Sequence, residues 1–259
     1  TVMMCAALLG GYAFKQGWPL ILAIVLTLFV GIAFGFANGV LIAKLKLPPF
    51  IATLGTMFVA RGIAYMVNGN RNTNAISSGI GKEAADAFQN FFYYGSTAGI
   101  YNTFWIALVL FLIFFFLLSK TRTGRHIYAI GSNVDAAKLS GVNVVNTTIK
   151  AYLVSAVCAC VVGYILCAQA GMGNMEAGNM YEMYGVAAGV IGGISPLGGT
   201  GLLLGTFAGA AVWQTLENGL NMIGAQVGIQ RLVIGIIVVF SVLLDVVVRS
   251  GNFGKKATK

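Results

Sequence analysis

Long apolar stretches follow one another along most of the 259-residue chain, separated by short polar segments. An α-helix needs about 20 apolar residues to cross the roughly 30 Å hydrocarbon layer of a bilayer. Most of the stretches approach that length, and none shows the apolar–polar alternation of a membrane β-strand. The pattern therefore predicts an all-α, polytopic membrane protein with apolar segments at 1–13, 19–43, 50–67, 101–119, 148–170, 184–195, 198–217 and 231–248.

Glycines recur at intervals of four residues in the apolar segments. This interval keeps glycines on one face of a helix, where the lack of side chains lets another backbone approach closely. We expect tight helix packing at these faces rather than direct lining of a path. The three sets are Gly31, Gly35 and Gly39; Gly185, Gly189 and Gly193; and Gly201, Gly205 and Gly209.

The segment 184–195 is too short to cross the membrane as a regular helix, because twelve residues rise only about 18 Å. It runs into the sequence SPLGGTG at 195–201. Non-helical backbone at membrane depth is tolerated only where protein or a water-filled cavity satisfies its polar groups. The sequence therefore predicts a broken helix, a feature that often flanks substrate paths.

A short internal similarity links the two ends of the chain. Asn38-Gly39 is followed by Phe50 and by Gly55, and Asn218-Gly219 is followed at the same spacings by Gln230 and Gly235. In the predicted topology the two copies lie on opposite sides of the membrane, which would make them an inverted repeat. The match covers few residues, and chance similarity is the alternative.

A polar, basic segment at 124–146 interrupts the apolar pattern. Within it, Ser132 is placed to cap a short helix, Asp135 to return toward that cap, and Gly141 to end the helix. The surface formed by Ala136, Ala137 and Leu139 is small and apolar enough to enter a groove on a soluble partner. The alternative is a loop helix that lies on the membrane.

Composition and charge support this topology. The chain is 58% hydrophobic and 9% charged, with a net charge of +9. The positive charges concentrate in the loop 44–49, in the segment 120–147 and in the tail, which places these three on the cytoplasmic side. The loop 68–100 then lies outside. Because no soluble face mixes basic and aromatic residues, nucleic acid is not an expected partner.

Enzymatic motifs are absent from the sequence. The single histidine, His126, lies in the basic segment, and the four cysteines lack metal-site spacing. We therefore expect no catalytic residue and no metal or cofactor bound by this chain.

Several polar or aromatic side chains lie in or beside the apolar segments. Arg61 falls near the membrane midplane, where a cation is costly unless it lines a cavity or has a partner. The amides, hydroxyls and aromatic rings would suit a neutral polyhydroxylated solute, and they would equally suit hydrogen bonds between helices. The candidate path residues are Asn38, Phe50, Thr53, Thr56, Arg61, Tyr184 and Asn218.

Three blocks of the sequence resemble a known family. They are NGVLIAKLKLPPFIATLGTMFVARG at 38–62, GRHIYAIGSNVDAAKLSGV at 124–142 and YEMYGVAAGVIGGISPLGGTG at 181–201, with a further match at 211–224. The order and content of these blocks resemble the ribose-type, simple-sugar permease subunits of bacterial ABC importers, in the branched-chain/ribose permease superfamily.

The resemblance implies one permease domain over 1–259, N-terminally truncated, in the bacterial inner membrane. It implies a second permease copy, most simply in a homodimer, a cytoplasmic ABC ATPase that binds ATP and Mg²⁺, and an extracytoplasmic sugar-binding protein. The segment 120–147 would be the coupling loop. The implied ATPase-coupling residues are Ser132, Asn133, Asp135, Ala136, Ala137, Leu139, Ser140 and Gly141.

The cargo stays open at this stage, between ribose, galactose or a related monosaccharide and autoinducer-2, inositol or another small polar solute. Two other classes are a secondary transporter and a receptor or assembly scaffold. A secondary transporter needs coupling carboxylates in mid-membrane, where none of the seven acidic residues clearly falls. A scaffold would not need the broken element at 184–201.

Overall fold

The structure is a computed structural model that describes residues 2–195 and 198–249. Pro196 and Leu197, within the predicted break, and the lysines of the tail lie outside these ranges. The described residues form helices almost throughout, with a π-helical turn at Asn90–Tyr94 and a hairpin of β1 (Ser96–Thr97) and β2 (Ile100–Tyr101). The helices are α1 (Val2–Lys15), α2 (Leu20–Ala43), α3 (Pro49–Val67), α4 (Ser77–Ile80), α5 (Lys82–Gln89), α6 (Asn102–Lys120), α7 (Arg122–Ser132), α8 (Val134–Leu139), α9 (Val144–Ala170), α10 (Tyr181–Ile191), α11 (Leu203–Met222) and α12 (Val227–Arg249).

Among the described residues, four helices are long and apolar enough to cross a bilayer, namely α2, α3, α6 and α9. The helical, membrane-type fold predicted from the sequence is thus confirmed. Other predicted segments form helices that do not meet both criteria. Helix α1 has only 14 residues, and α11 has 20 but includes Gln214, Glu217 and Asn218. Polar side chains of this kind raise the cost of burial in hydrocarbon.

The chain divides into two compact units, the first made of residues 1–116 and 140–179 and the second of residues 117–139 and 180 onward. In the first unit, α2 packs along α9 through the glycines predicted for close approach. A methyl group at Gly35 would lie 2.6 Å from the Ala156 Cβ, and one at Gly39 would lie 2.8 Å from the Ile149 Cα. Gly31 meets the Cys160 sulfur in the same way. This set of glycines therefore packs as expected.

Helix α1 is the most buried helix of the first unit, with nine buried residues. Beside it, a polar contact joins α2 and α9, where the hydroxyls of Thr27 and Tyr164 lie 2.6 Å apart. Tyr164 also donates to the Ile24 carbonyl at 2.7 Å. These bonds satisfy buried hydroxyls, as a low-dielectric interior requires.

The segment 68–100 packs against the core of the first unit. Phe88 of α5 is 1% exposed and packs edge-on against Phe14, with ring centroids 5.1 Å apart. The backbone nitrogens of Thr73 and Ile76 donate to the carbonyls of Gly173 and Gly171, both at 2.9 Å. The predicted loop is therefore a helical cap on the first unit.

In the second unit, α10 is short, as predicted, and its last turn packs against α11. The closest approach is between the backbones of Gly192 and Gly205, and Gly209 reaches the Ala188 carbonyl. The expectation that Gly185, Gly189 and Gly193 form the tight face was wrong. In the part of the chain that the structure describes, Gly185 and Gly193 meet nothing within 4 Å, and Gly189 has only an ordinary contact. The contact face of α10 lies instead at Ala188 and Gly192, one residue before the predicted set.

The helix boundaries extend the internal similarity seen in the sequence. The interval from Asn38 to Asn218 is 180 residues. Shifted by that interval, α1, α2 and α3 fall within a few residues of α10, α11 and α12. Each triplet has a short helix followed by two longer ones, which supports a repeat over chance similarity.

Candidate coupling segment and translocation path

The polar segment after α6 folds into two helices. Thr121 begins α7 as an N-cap, because its hydroxyl accepts a hydrogen bond from the Gly124 nitrogen at 3.3 Å. The same hydroxyl donates to the Leu117 carbonyl at 2.6 Å. Helix α7 was not predicted from the sequence, because its apolar residues are few. Thr121 was the sequence signal that could have located the start of α7, because threonine is a preferred N-cap residue.

Helix α8 is capped by Asn133 and not by Ser132, so the predicted cap was wrong by one residue. The Asn133 side-chain oxygen accepts from the nitrogens of Asp135 and Ala136, both at 2.9 Å. Ser132 is instead the last residue of α7. Asp135 lies in the first turn, where its charge suits the helix dipole, and it pairs with Lys138 at 3.4 Å.

Helix α8 ends just before Gly141, the residue predicted to end it. The chain turns at Gly141, whose φ of +80° lies in the left-handed region that favours glycine. Ser140 stands between the helix and this glycine and is exposed. A six-residue helix is only marginally stable on its own, so the cap at Asn133 and the turn at Gly141 contribute to its stability.

The exposed surface of α8 lacks one residue that was predicted to belong to it, Ala137. Leu139 is 91% exposed, and Val134 and Ala136 are exposed as well. Ala137 is buried and is therefore not part of the surface that a partner meets. A large aliphatic side chain at the exposed end of a solvated helix can enter an apolar groove.

A backbone junction ties α7 to the turn that follows α10, within the second unit. A methyl group at Gly131 would lie 2.5 Å from the Gly199 nitrogen, and one at Gly199 would lie 2.7 Å from the Ser132 Cα. The Tyr128 hydroxyl donates to the Gly201 carbonyl at 3.0 Å. The segment that precedes α8 thus touches the non-helical end of the broken element directly.

The candidate path residues of the first unit are mostly paired with their own surroundings. Thr56 donates to the Asn38 side-chain oxygen at 2.7 Å, and Thr53 donates to the Pro49 carbonyl at 2.8 Å. Phe50 is 74% exposed. The hydroxyls of Thr53 and Thr56 and the side-chain oxygen of Asn38 thus have protein partners without a solute.

Arg61 is the exception in the first unit. Its Nε atom is buried and has no hydrogen-bond partner among the described residues. Within the described side chains the one ion pair is Lys138–Asp135. No carboxylate among the described side chains therefore pairs with Arg61.

In the second unit, Tyr184 stacks at a tilt on Trp213, with centroids 5.2 Å apart, and Tyr181 lies 5.9 Å from Tyr184. Asn218 is exposed on α11. Trp213 and Tyr181 were not predicted. Tyr181 could have been found from its spacing of three residues from Tyr184 on α10, whereas Trp213 lies on α11 and no local sequence signal links it to Tyr184. In the described residues, no group of His, Cys, Asp and Glu side chains is arranged to hold a metal ion.

Apolar membrane-length helices, a helix broken at glycines and an exposed polar segment joined to that break together define a polytopic membrane permease. Residues 1–242 match the family described as the branched-chain amino acid transport system permease component, and the chain belongs to this family. It is a multi-pass protein of the bacterial inner membrane.

Curated relatives in this family carry several cargo names. The fructose import permease of Rhizobium meliloti is 30% identical over 94% of this chain and 68% of its own length. The ribose import permease of Escherichia coli K12 is 36% identical over 87% of this chain and 68% of its own length. The autoinducer 2 import permease of Salmonella typhimurium is 38% identical over 81% of this chain and 58% of its own length. No solved structure matches the chain.

Proposed function

We propose that the chain is the membrane-spanning subunit of an ATP-binding cassette importer that moves a monosaccharide by alternating access. The relatives named for fructose and ribose import support a sugar cargo. The relatives named for autoinducer 2 import favour that small oxygen-rich signal as the second candidate. Two units would act as one permease domain, with 68–100 outside and 120–147 in the cytoplasm.

The proposed importer needs further subunits. The family description names the permease as one component of a transport system. We propose that a second copy of the chain completes the membrane part, that a cytoplasmic ABC ATPase binds ATP and Mg²⁺, and that an extracytoplasmic sugar-binding protein delivers the cargo. This chain would supply no catalytic residue of ATP hydrolysis.

The observation that carries the mechanism is the junction of Gly131 and Ser132 with Gly199. Leu139 on α8 would receive the movement of the ATPase, and α7 would pass it to the turn at 198–201. Because the contact is between backbones, it leaves no flexible side chain to absorb the displacement. The broken element would then change the access of the path to the two sides.

A substitution at the junction tests this route. Gly131→Ala places a methyl group against the Gly199 backbone, and overpacking of this kind typically costs about 1–3 kcal/mol. We expect ATP-driven sugar uptake in proteoliposomes to fall at least about ten-fold while the ATPase still binds.

Gly228→Ala is the matched control, because Gly228 has no neighbour within 4 Å among the described residues and lies in α12 of the same unit. This variant should take up sugar at the wild-type rate. Equal uptake by the Gly131→Ala and Gly228→Ala variants would remove the junction from the mechanism.

A further inference from the structure

Helices α10 and α11 bring three aromatic rings together at one place in the second unit. We call Tyr181, Tyr184 and Trp213 the aromatic cluster. The ring centroids are 5.9 Å apart between the two tyrosines and 5.2 Å apart between Tyr184 and Trp213. Trp213 is 6% exposed, whereas Tyr181 is 39% exposed. The cluster therefore has a buried base and an accessible ring at its edge.

A carboxylate stands beside the aromatic cluster. Glu217 follows Trp213 by one turn of α11, so the two side chains share a face of that helix. Trp213 packs against Tyr184, so this face of α11 is the one turned toward the aromatic cluster. Asn218 projects about 100° further round α11 and lies away from this face.

The polar atoms of the aromatic cluster and of Glu217 have no partner among the described residues. Within the described residues, the hydroxyls of Tyr181 and Tyr184 and the carboxylate of Glu217 make no hydrogen bond or ion pair. The Trp213 Nε1 atom is buried without a partner there. In the first unit, by contrast, Asn38 and Thr56 bond to each other. Among these atoms only the Trp213 Nε1 is buried, and a buried polar atom without a protein partner beside accessible aromatic rings is typical of a ligand site, because buried polar groups are otherwise paired.

From this we infer that the aromatic cluster and Glu217 form a binding site for one neutral monosaccharide ring on the import path. The inference rests on the proposed function and adds the residues that contact the cargo. The C–H face of the sugar lies on the exposed Tyr181 ring, whose π-electron face attracts the positive C–H edge. The Glu217 carboxylate accepts hydrogen bonds from two neighbouring hydroxyls, which charge makes stronger than neutral bonds.

The charges of the site select among sugars. Glu217 and the exposed Glu182 are the acidic side chains of α10 and α11. Two carboxylates repel an anion, so a phosphorylated sugar is disfavoured and an uncharged ring is favoured. Aromatic rings also stand at membrane interfaces for purely structural reasons. The experiment separates these two roles.

The test measures ATP-driven uptake by the complete importer at saturating sugar and binding protein, with D-ribose and D-fructose as separate probes. Glu217→Gln keeps the size of the side chain and removes the charge. Tyr181→Ala removes the stacking ring, and Tyr181→Phe restores it without the hydroxyl. Tyr101→Ala is the matched control, because Tyr101 is also an exposed aromatic residue and lies in the first unit.

For at least one probe, we expect Glu217→Gln and Tyr181→Ala to lower uptake at least about ten-fold at equal amounts in the membrane. Tyr181→Phe should recover half or more of the wild-type rate, and Tyr101→Ala should leave the rate unchanged. Wild-type rates in both Glu217→Gln and Tyr181→Ala would overturn the site. An equal loss in Tyr101→Ala would also overturn it, by assigning the rings an interfacial role. Failure of the wild-type importer to take up either sugar would instead contradict the proposed function.

Discussion

At the scale of single residues, the glycines of α2 allow a neighbouring helix to approach closely. Gly31, Gly35 and Gly39 form a smooth face on α2, and α9 lies directly against it. Lipid chains are as apolar as leucine, so helices in a bilayer gain stability mainly from close packing. A side chain on this face removes that packing.

Replacement of Gly35 by leucine is therefore expected to destabilise the first unit. The position already has the Ala156 Cβ and the Tyr152 carbonyl within 3.0 Å of an added methyl group. Overpacking should cost about 1–3 kcal/mol or more, seen as a lower thermal midpoint of the purified protein in detergent. Gly55→Leu is the control, since no described residue lies within 4 Å of a methyl group at Gly55. Equal midpoints for the two variants would argue against the packing role.

The glycine interval predicted this face on α2 but failed on α10, and the difference is physical. An interval of four marks a smooth face without showing that a neighbour covers it. On α10 the close contact uses Ala188 and Gly192, because a small side chain serves as well as none. Gly185 and Gly193 have no close neighbour among the described residues. Which of two small faces is covered depends on the partner helix, which the local sequence does not encode.

At the scale of elements, α8 depends on its ends. Six residues form too few internal hydrogen bonds to hold a helix alone. Asn133 satisfies two backbone nitrogens at its start, and the φ of +80° at Gly141 turns the chain after it. The position of α8 was predicted correctly from the sequence. Its cap was assigned to the wrong residue because α7, whose last residue is Ser132, was not anticipated.

Loss of the true cap should weaken coupling. Asn133→Ala removes the side-chain oxygen and is expected to cost about 1 kcal/mol of helix stability. ATPase binding to the purified permease should weaken by several-fold. Ser132→Ala should have the smaller effect, since its hydroxyl does not cap α8. If Ser132→Ala weakened ATPase binding more than Asn133→Ala, the cap would have been assigned to the wrong residue.

At the scale of the whole molecule, an exposed helix and the helix that precedes it are joined to the broken element within the second unit. The exposed Leu139 lies on α8, α7 precedes it, and Gly131 touches the turn at 198–201. The sequence predicted the coupling surface and the break separately. It could not predict their contact, because residues about 70 positions apart meet only through the fold.

The measurement that tests the central claim most directly is sugar uptake driven by ATP when Leu139 is replaced by glutamate. A charge at this position cannot enter an apolar groove without a large desolvation cost. We expect the Leu139→Glu chain to reach the membrane in normal amounts, to lose at least about ten-fold in uptake and to co-purify little ABC ATPase. Leu45→Glu alters another exposed leucine on the predicted cytoplasmic side and should leave both properties unchanged. Wild-type uptake by the Leu139→Glu chain would contradict the account.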